Sequence, residues 1–187
     1  MSSAIAAISE AIKSIGAFLP EDMDLLASSV DSLKVKRGEH LQRPGDVCRQ
    51  VLLVHSGSLR MYQDIDGYKE ATHGLYVPGS WVLDQVSFTK QEPSPYYLTA
   101  FEDAEVAALS IHALHELIGK SPRFFALGRL LEQCNPYLSL ESPKERYCKL
   151  LNDQPEIVQR FPLKHIASYL QMTPETLSRV RNQLKSS

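Results

Sequence analysis

Apolar residues near the start of the chain recur at steps of three and four positions. Ile5, Ile8, Ile12 and Ile15 fall on one stripe, which predicts an amphipathic helix. A second short helix is expected over residues 20–30, because proline and acidic residues occupy its first turn. The first thirty residues therefore predict two helices.

From residue 33 to residue 110 the pattern changes to short apolar or alternating runs. The predicted strands are residues 33–37, 50–55, 59–63, 71–77, 96–101 and 105–110. Glycines in the intervening turns are 7 to 12 residues apart, close to the spacing in β-sandwiches and barrels. Asp66-Gly67 is a hairpin signal between two of these runs. An antiparallel roll of the jelly-roll type is expected.

Helical spacing returns after residue 111. One apolar face is expected over residues 113–118, and a further helix from Ser121-Pro122 should end near Asn135-Pro136. Ser142 and Glu145 have the spacing of a capping box at the start of another helix. The predicted fold class is α+β: an N-terminal β-roll with flanking helices, then a small all-α domain.

Residues 161–184 predict two short helices joined by a three-residue turn. The first, over residues 162–170, has the small Ala167 where the helices would cross. The turn is 171–173, with Thr173 as N-cap and Pro174 as the first residue of the second helix, 174–184. This is the pattern of a helix-turn-helix, and no β-wing is expected after it.

The second of these helices has two distinct faces. Leu177, Val180 and Leu184 fall within roughly 60° of one another and are expected in the core. The opposite row contains residue types that contact base edges, and its flanks suit phosphates. The predicted DNA-binding residues are Thr173, Glu175, Thr176, Ser178, Arg179, Arg181, Asn182 and Lys185. An ordinary solvated helix has the same polarity, so the face alone leaves both interpretations open.

Charge is distributed unevenly along the 187 residues. Residues 1–140 contain 12 Lys/Arg against 17 Asp/Glu, whereas residues 141–187 contain 8 against 5. A basic C-terminal end suits a polyanion such as DNA, although a solvated charged face explains it equally well.

Several motifs resemble the Crp/Fnr family of bacterial transcription regulators. Residues 174–179 (PETLSR) match the family's recognition helix, and residues 142–147 (SPKERY) match the opening of its DNA-binding domain. The turns Pro44-Gly45-Asp46 and Ser56-Gly57 lie where its sensory roll has similar turns. The resemblance implies that Glu175, Ser178 and Arg179 contact bases. The family's turn usually has glycine where this chain has Gln171, and a positive φ there costs around 1 kcal/mol.

The resemblance also points to an effector pocket. In cyclic-nucleotide-binding relatives a Gly-Glu pair and a downstream arginine hold the ribose and cyclic phosphate; the corresponding positions here are Leu83, Asp84 and Ser94, and no arginine lies between Arg60 and Arg123. A buried phosphate needs such a donor, so cyclic AMP is not expected. The candidate pocket residues are Trp81, Leu83, Asp84, Ser94, Tyr96 and Tyr97. Aromatic residues in a β-roll also commonly belong to its hydrophobic core. The sequence therefore leaves two alternatives open: the roll binds a small apolar ligand, or it binds no ligand.

The sequence lacks the residues that a metal cluster, a metal site or a cupin-type active site would need. Three scattered cysteines do not supply the four thiolates of an iron–sulfur cluster, and His112 and His115 have no evident third ligand. A cupin-type enzyme would need paired ligands, which His40, His55 and His73 do not provide. The expectation is a non-enzyme without cofactor or metal.

These patterns together predict a DNA-binding transcription regulator with three segments. They are a sensory roll over residues 1–120, a connecting and dimerisation helix over 121–140, and the helix-turn-helix domain over 141–187. A homodimer is expected because palindromic operators match two-fold symmetry; RNA polymerase is a candidate partner. No secretory signal or spanning segment is evident, so a cytoplasmic location and no membrane partner are expected. The alternative is a small-molecule-binding adaptor whose helix-turn-helix no longer binds DNA.

Overall fold

Residues 3–132 and 142–185 are described by the computed structural model of the chain, and they separate into two units. The first unit contains the described residues of 1–59 and 76–133. The second contains residues 60–75 together with 142–185. A segment from the middle of the sequence is thus grouped with the C-terminal helices.

The first unit is built from helices and antiparallel strands. Its helices are α1 (Ser3–Ala11), α2 (Pro20–Ser29), α3 (Gln85–Lys90) and α4 (Ile111–Lys120), with 3₁₀ segments at Ile12–Ser14 and Pro122–Glu132. Its strands are β1 (Asp31–Val35), β2 (His40–Gln42), β3 (Gln50–Ser56), β6 (Trp81–Val82), β7 (Tyr97–Ala100) and β8 (Ala104–Ser110). One antiparallel sheet has the order β1-β8-β3-β6, and β2 pairs with β7.

The core of the first unit lies between this sheet and the helices. Ile8, Leu53, Leu117 and Phe124 are each at most 1% exposed and belong to one cluster. At Gly57, where φ is +77°, an added Cβ would collide with the Asp103 carbonyl oxygen. The turn that follows β3 therefore requires a glycine.

The second unit combines a hairpin with four helices. Its strands are β4 (Leu59–Asp64) and β5 (Glu70–Tyr76), and its helices are α5 (Pro143–Asp153), α6 (Pro155–Arg160), α7 (Leu163–Tyr169) and α8 (Pro174–Lys185). Leu150, Ile157, Ile166 and Leu177 are at most 1% exposed. These side chains from all four helices form an apolar core.

Most predicted elements occur with shifted ends. The two N-terminal helices, the six predicted strands, the Asp66-Gly67 hairpin and the capping box of Ser142 with Glu145 are all present. The sequence did not indicate β2, β6, α3 or α6, each at most six residues long. The helix predicted from residue 122 is a 3₁₀ helix, and the expected break at Asn135-Pro136 lies outside the described residues. The three predicted segment boundaries stay predictions.

Candidate nucleic-acid interface

Two helices joined by a tight turn lie at the C-terminal end of the second unit. Gln171, in the turn between α7 and α8, has a φ of 51°, a left-handed conformation that non-glycine residues rarely adopt. The Met172 N–H donates to the Ala167 carbonyl at 2.9 Å. Ala167 is fully buried, so a small side chain allows α7 and α8 to pack closely.

The N-terminus of α8 is capped by Thr173. The Thr176 N–H donates to the Thr173 hydroxyl at 3.2 Å, and Pro174 is the first residue of the helix. The Glu175 carboxyl accepts from its own backbone N–H and from the Thr173 hydroxyl, which lowers its pKa below the ordinary value. Glu175 is therefore ionised at neutral pH and lies where the helix dipole favours negative charge.

The outer face of α8 is a continuous polar row. Glu175, Ser178, Arg179 and Asn182 are all exposed, and they are spaced so that they share one side of the helix. Leu177 and Val180, on the opposite side, are 0% and 6% exposed. Packing of the apolar side therefore fixes which residues point outward.

The remaining predicted DNA-binding residues lie around this row. Thr173 and Lys185 are exposed at the two ends of α8, while Thr176 and Arg181 are half-buried beside the row. Leu184, which the pattern placed in the core, is only half-buried. The eight predicted residues thus lie on one helix and its cap.

Cations of α8 are available to an external anion. Among the described residues, no carboxylate lies within ion-pairing distance of Arg179 or Lys185, whereas Arg160 on α6 contacts Glu156 at 3.3 Å. A cation without an internal partner can neutralise a phosphate or donate to a base without first breaking a contact.

The predicted effector residues are divided between different surroundings. Trp81 and Leu83 pack against the core cluster of the first unit, and the Tyr97 ring lies 5.2 Å from that of His40. Ser94 is 2% exposed, and its hydroxyl accepts from the Tyr96 N–H at 3.1 Å. These contacts hold the side chains in the packing of the roll.

Asp84 is an acidic side chain at a position where a phosphate-binding site would need a basic one. It is 5% exposed; Oδ1 accepts from the Ser87 N–H at 3.2 Å and caps α3, while Oδ2 has no hydrogen-bond partner among the described residues. Burial, and then this carboxylate, raises the pKa of both Tyr76 and Tyr96. A carboxyl side chain supplies neither the positive charge nor the fork of donors that binds a cyclic phosphate.

Residues 3–132 and 142–185 contain no cluster of three or more His, Cys, Asp or Glu residues that could hold a metal ion. Cys48 is buried and its thiol pKa is raised by that burial. No helix in this part of the chain is long and apolar enough to span a bilayer.

This chain is similar to known proteins both in sequence and in fold. The family described as the cyclic nucleotide-binding domain matches residues 32–121. The transcriptional activator protein anr of Pseudomonas aeruginosa is 29% identical over 180 residues, covering 86% of this chain and 73% of that protein. The transcriptional activator protein FnrA of Stutzerimonas stutzeri is 34% identical over 98 residues, 52% of this chain and 39% of that protein.

Solved structures share the fold at lower identity. FixK2 from Bradyrhizobium japonicum has a TM-score of 0.68 at 16% identity, covering 84% of this chain and 85% of that one. The catabolite activator protein of Thermus thermophilus has a TM-score of 0.54 at 22% identity, covering 91% and 85%. The chain is thus similar in sequence to Fnr-type transcriptional activators over most of its length, and it shares the fold of these solved regulators.

Proposed function

We propose that the chain is a sequence-specific DNA-binding transcription regulator whose helix α8 enters the major groove. The observation that carries this is the exposed row of Glu175, Ser178, Arg179 and Asn182 on a helix whose other side is buried. The major groove of B-DNA admits an α-helix presented in this way. The Fnr-type relatives are named as transcriptional activators, which supports the same function.

The chemistry of the row assigns a role to each side chain. The Arg179 guanidinium suits a bidentate contact to guanine O6 and N7, and the Glu175 carboxylate accepts from the cytosine amino group. Asn182 suits adenine, and Ser178 can contact either kind of base. The lowered pKa of Glu175 keeps it an acceptor at neutral pH.

Residues flanking the row suit the phosphate backbone. Thr173 and Lys185 are exposed at opposite ends of α8, and the half-buried Arg181 lies beside the row. Such contacts fix the position of a helix on the duplex and carry no sequence information themselves.

The regulator is proposed to act as a homodimer on a two-fold symmetric operator. One recognition helix contacts only a few base pairs, and a second copy one helical turn away supplies the rest of the specificity. RNA polymerase is the corresponding partner for transcription. Cyclic AMP is not proposed as effector, because Asp84 is buried at a pocket position and Ser94 replaces the arginine.

Selection of bound duplexes from random DNA with the purified full chain tests this function. The wild type should enrich a palindrome, and Arg179→Ala should bind it at least about tenfold more weakly, since one bidentate base contact contributes about 1–3 kcal/mol. Arg49→Ala, at an exposed arginine of the first unit, is the matched control. Failure of the wild type to enrich any sequence would leave the adaptor interpretation. An Arg179→Ala variant that binds like Arg49→Ala would overturn the assigned site.

A further inference from the structure

The β4–β5 hairpin contacts the first helix of the helix-turn-helix. The Thr72 N–H on β5 donates to the Ser168 hydroxyl oxygen on α7 at 2.9 Å, across 96 positions of sequence. Thr72 is 6% exposed and Ser168 is half-buried. A backbone N–H shielded in this way loses a full hydrogen bond if its acceptor is removed.

Arg60 stiffens the hairpin at the same place. Its Nε and Nη2 donate to the Thr72 hydroxyl at 3.1 and 2.9 Å, and its Nη1 contacts the Glu70 carboxylate at 2.6 Å. The guanidinium also lies over the Tyr62 ring, 4.4 Å from the centroid. The residue that donates to α7 is therefore held by a buried arginine.

The contacted side of α7 extends beyond Ser168. His165 lies three positions earlier, on the same side of the helix, and is 9% exposed. Arg60 and Glu70 of the hairpin both act electrostatically on its imidazole. Charges of the hairpin are thus close enough to α7 to act on a second residue of that helix.

This contact leaves the polar row of α8 uncovered. Glu175 and Arg179 remain exposed, while α7 and α8 pack against each other, and Ile166 on α7 and Leu177 on α8 are both buried. Support given to one side of α7 is therefore transmitted to α8 by close packing.

We infer that the β4–β5 hairpin is a positioning element for DNA recognition, with Ser168 and Arg60 as positioning residues that hold α7 and, through it, the recognition helix. This inference rests on the proposed function, because its consequence is measured as DNA affinity. The hairpin contributes no base contact; it reduces the freedom that α8 would lose on entering the groove.

Three variants of the full chain test it on a duplex obtained by selection from random DNA. Ser168→Ala removes the acceptor from a helix that tolerates alanine, and Ser168→Thr keeps a hydroxyl. Ser28→Ala is the matched control, at an exposed serine of α2 whose hydroxyl donates to its own helix. Ser168→Ala should weaken binding roughly three- to tenfold, the worth of one hydrogen bond. Ser168→Thr should restore affinity, and Ser28→Ala should bind like the wild type.

Two further readouts separate positioning from loss of stability or of phosphate contacts. The salt dependence of binding should be the same in Ser168→Ala, since the number of neutralised phosphates does not change. Without DNA, the Thr72 amide should exchange faster with solvent only in Ser168→Ala.

Each alternative result has one meaning. Equal affinity of Ser168→Ala and Ser28→Ala overturns the inference while the proposed function stands. Unchanged exchange of the Thr72 amide shows that the contact does not form. A wild type that selects no duplex removes the proposed function, and the positioning role with it.

Discussion

Arg60 and Glu70 form an ion pair of 2.6 Å in which the arginine side chain is 8% exposed and the glutamate 46% exposed. Removing the partner of a buried charge costs more than the pair contributes, because the remaining charge stays desolvated. The hairpin of the second unit therefore depends on the more exposed of the two residues.

Glu70→Gln should lower the free energy of unfolding by about 1–2 kcal/mol, since Arg60 would keep only neutral hydrogen-bond partners. Denaturant unfolding measures the change. Glu92→Gln, at an exposed glutamate, is the control and should be neutral. Equal stability of the two variants would contradict a structural role for the ion pair.

Lys185→Ala should weaken DNA binding by a similar factor for every sequence. A phosphate contact carries no base information, so the slope of log K against log salt should fall by about 1 in magnitude. Arg179→Ala should instead relax the preference at one position of the operator. Binding titrations over a salt series with the selected palindrome and single-base variants distinguish the two. A Lys185→Ala variant with altered base preference would contradict the phosphate assignment.

Gln171→Gly should raise the free energy of unfolding by about 0.5–1 kcal/mol, because glycine adopts positive φ without steric cost. Gln171 is exposed at a φ of 51°. Gln91 provides the comparison, since its φ is 54° but its amide donates to the Phe88 carbonyl at 2.7 Å. Gln91→Gly should therefore gain less or lose stability. Thermal unfolding of both variants checks this, and a larger gain at residue 91 would contradict it.

Acid should destabilise the second unit through His165. Burial, then the charges of Arg60 and Lys164, lower its pKa from 6.5 to about 4, with Glu70 acting in the opposite sense. Between these two pH values the unfolded chain binds a proton at this histidine and the folded chain does not. The contribution of His165 to the free energy of unfolding is therefore fully present above pH 6.5 and is lost as the pH drops towards 4. The free energy of unfolding measured over this range should decrease by about 2 kcal/mol from this residue.

The control for this pH dependence is a second histidine. His165→Leu should flatten the curve between pH 6.5 and about 4, whereas His112→Leu, at an exposed histidine of α4, should keep the wild-type slope. Parallel curves for all three proteins would show that His165 does not titrate differently on unfolding.

Predictions from the sequence agreed best with the structure where apolar residues recur at regular helical spacing. Leu177 and Val180 share one side of α8, and the structure buries both, so the exposed row followed from periodicity alone. Leu184 lies at the end of the helix, where fewer neighbours cover it, and is only half-buried. The turn at residues 171–173 followed from the local pattern, and the positive φ of Gln171, which the family resemblance implied, is observed.

Short elements and distant contacts gave no such signal. Helix α3 has six residues, fewer than two helical turns, and Val86 within it is 58% exposed, so no apolar stripe marks it. The contact of Thr72 with Ser168 joins residues 96 positions apart and uses a backbone donor, which no residue type reveals. The 3₁₀ form of Pro122–Glu132 differs from an α-helix in hydrogen bonding, not in residue composition.

The second unit is assembled from two separate stretches of sequence, residues 60–75 and the C-terminal helices. A fragment that starts at the capping box of Ser142 would include α7 and α8 but would lose the strand whose Thr72 N–H donates to Ser168. Helix α8 would keep all of its side chains, but α7 would lack the contact from Thr72. A fragment of this kind is therefore a poor substitute for the full chain, because part of what contacts α7 is encoded some seventy residues before Ser142.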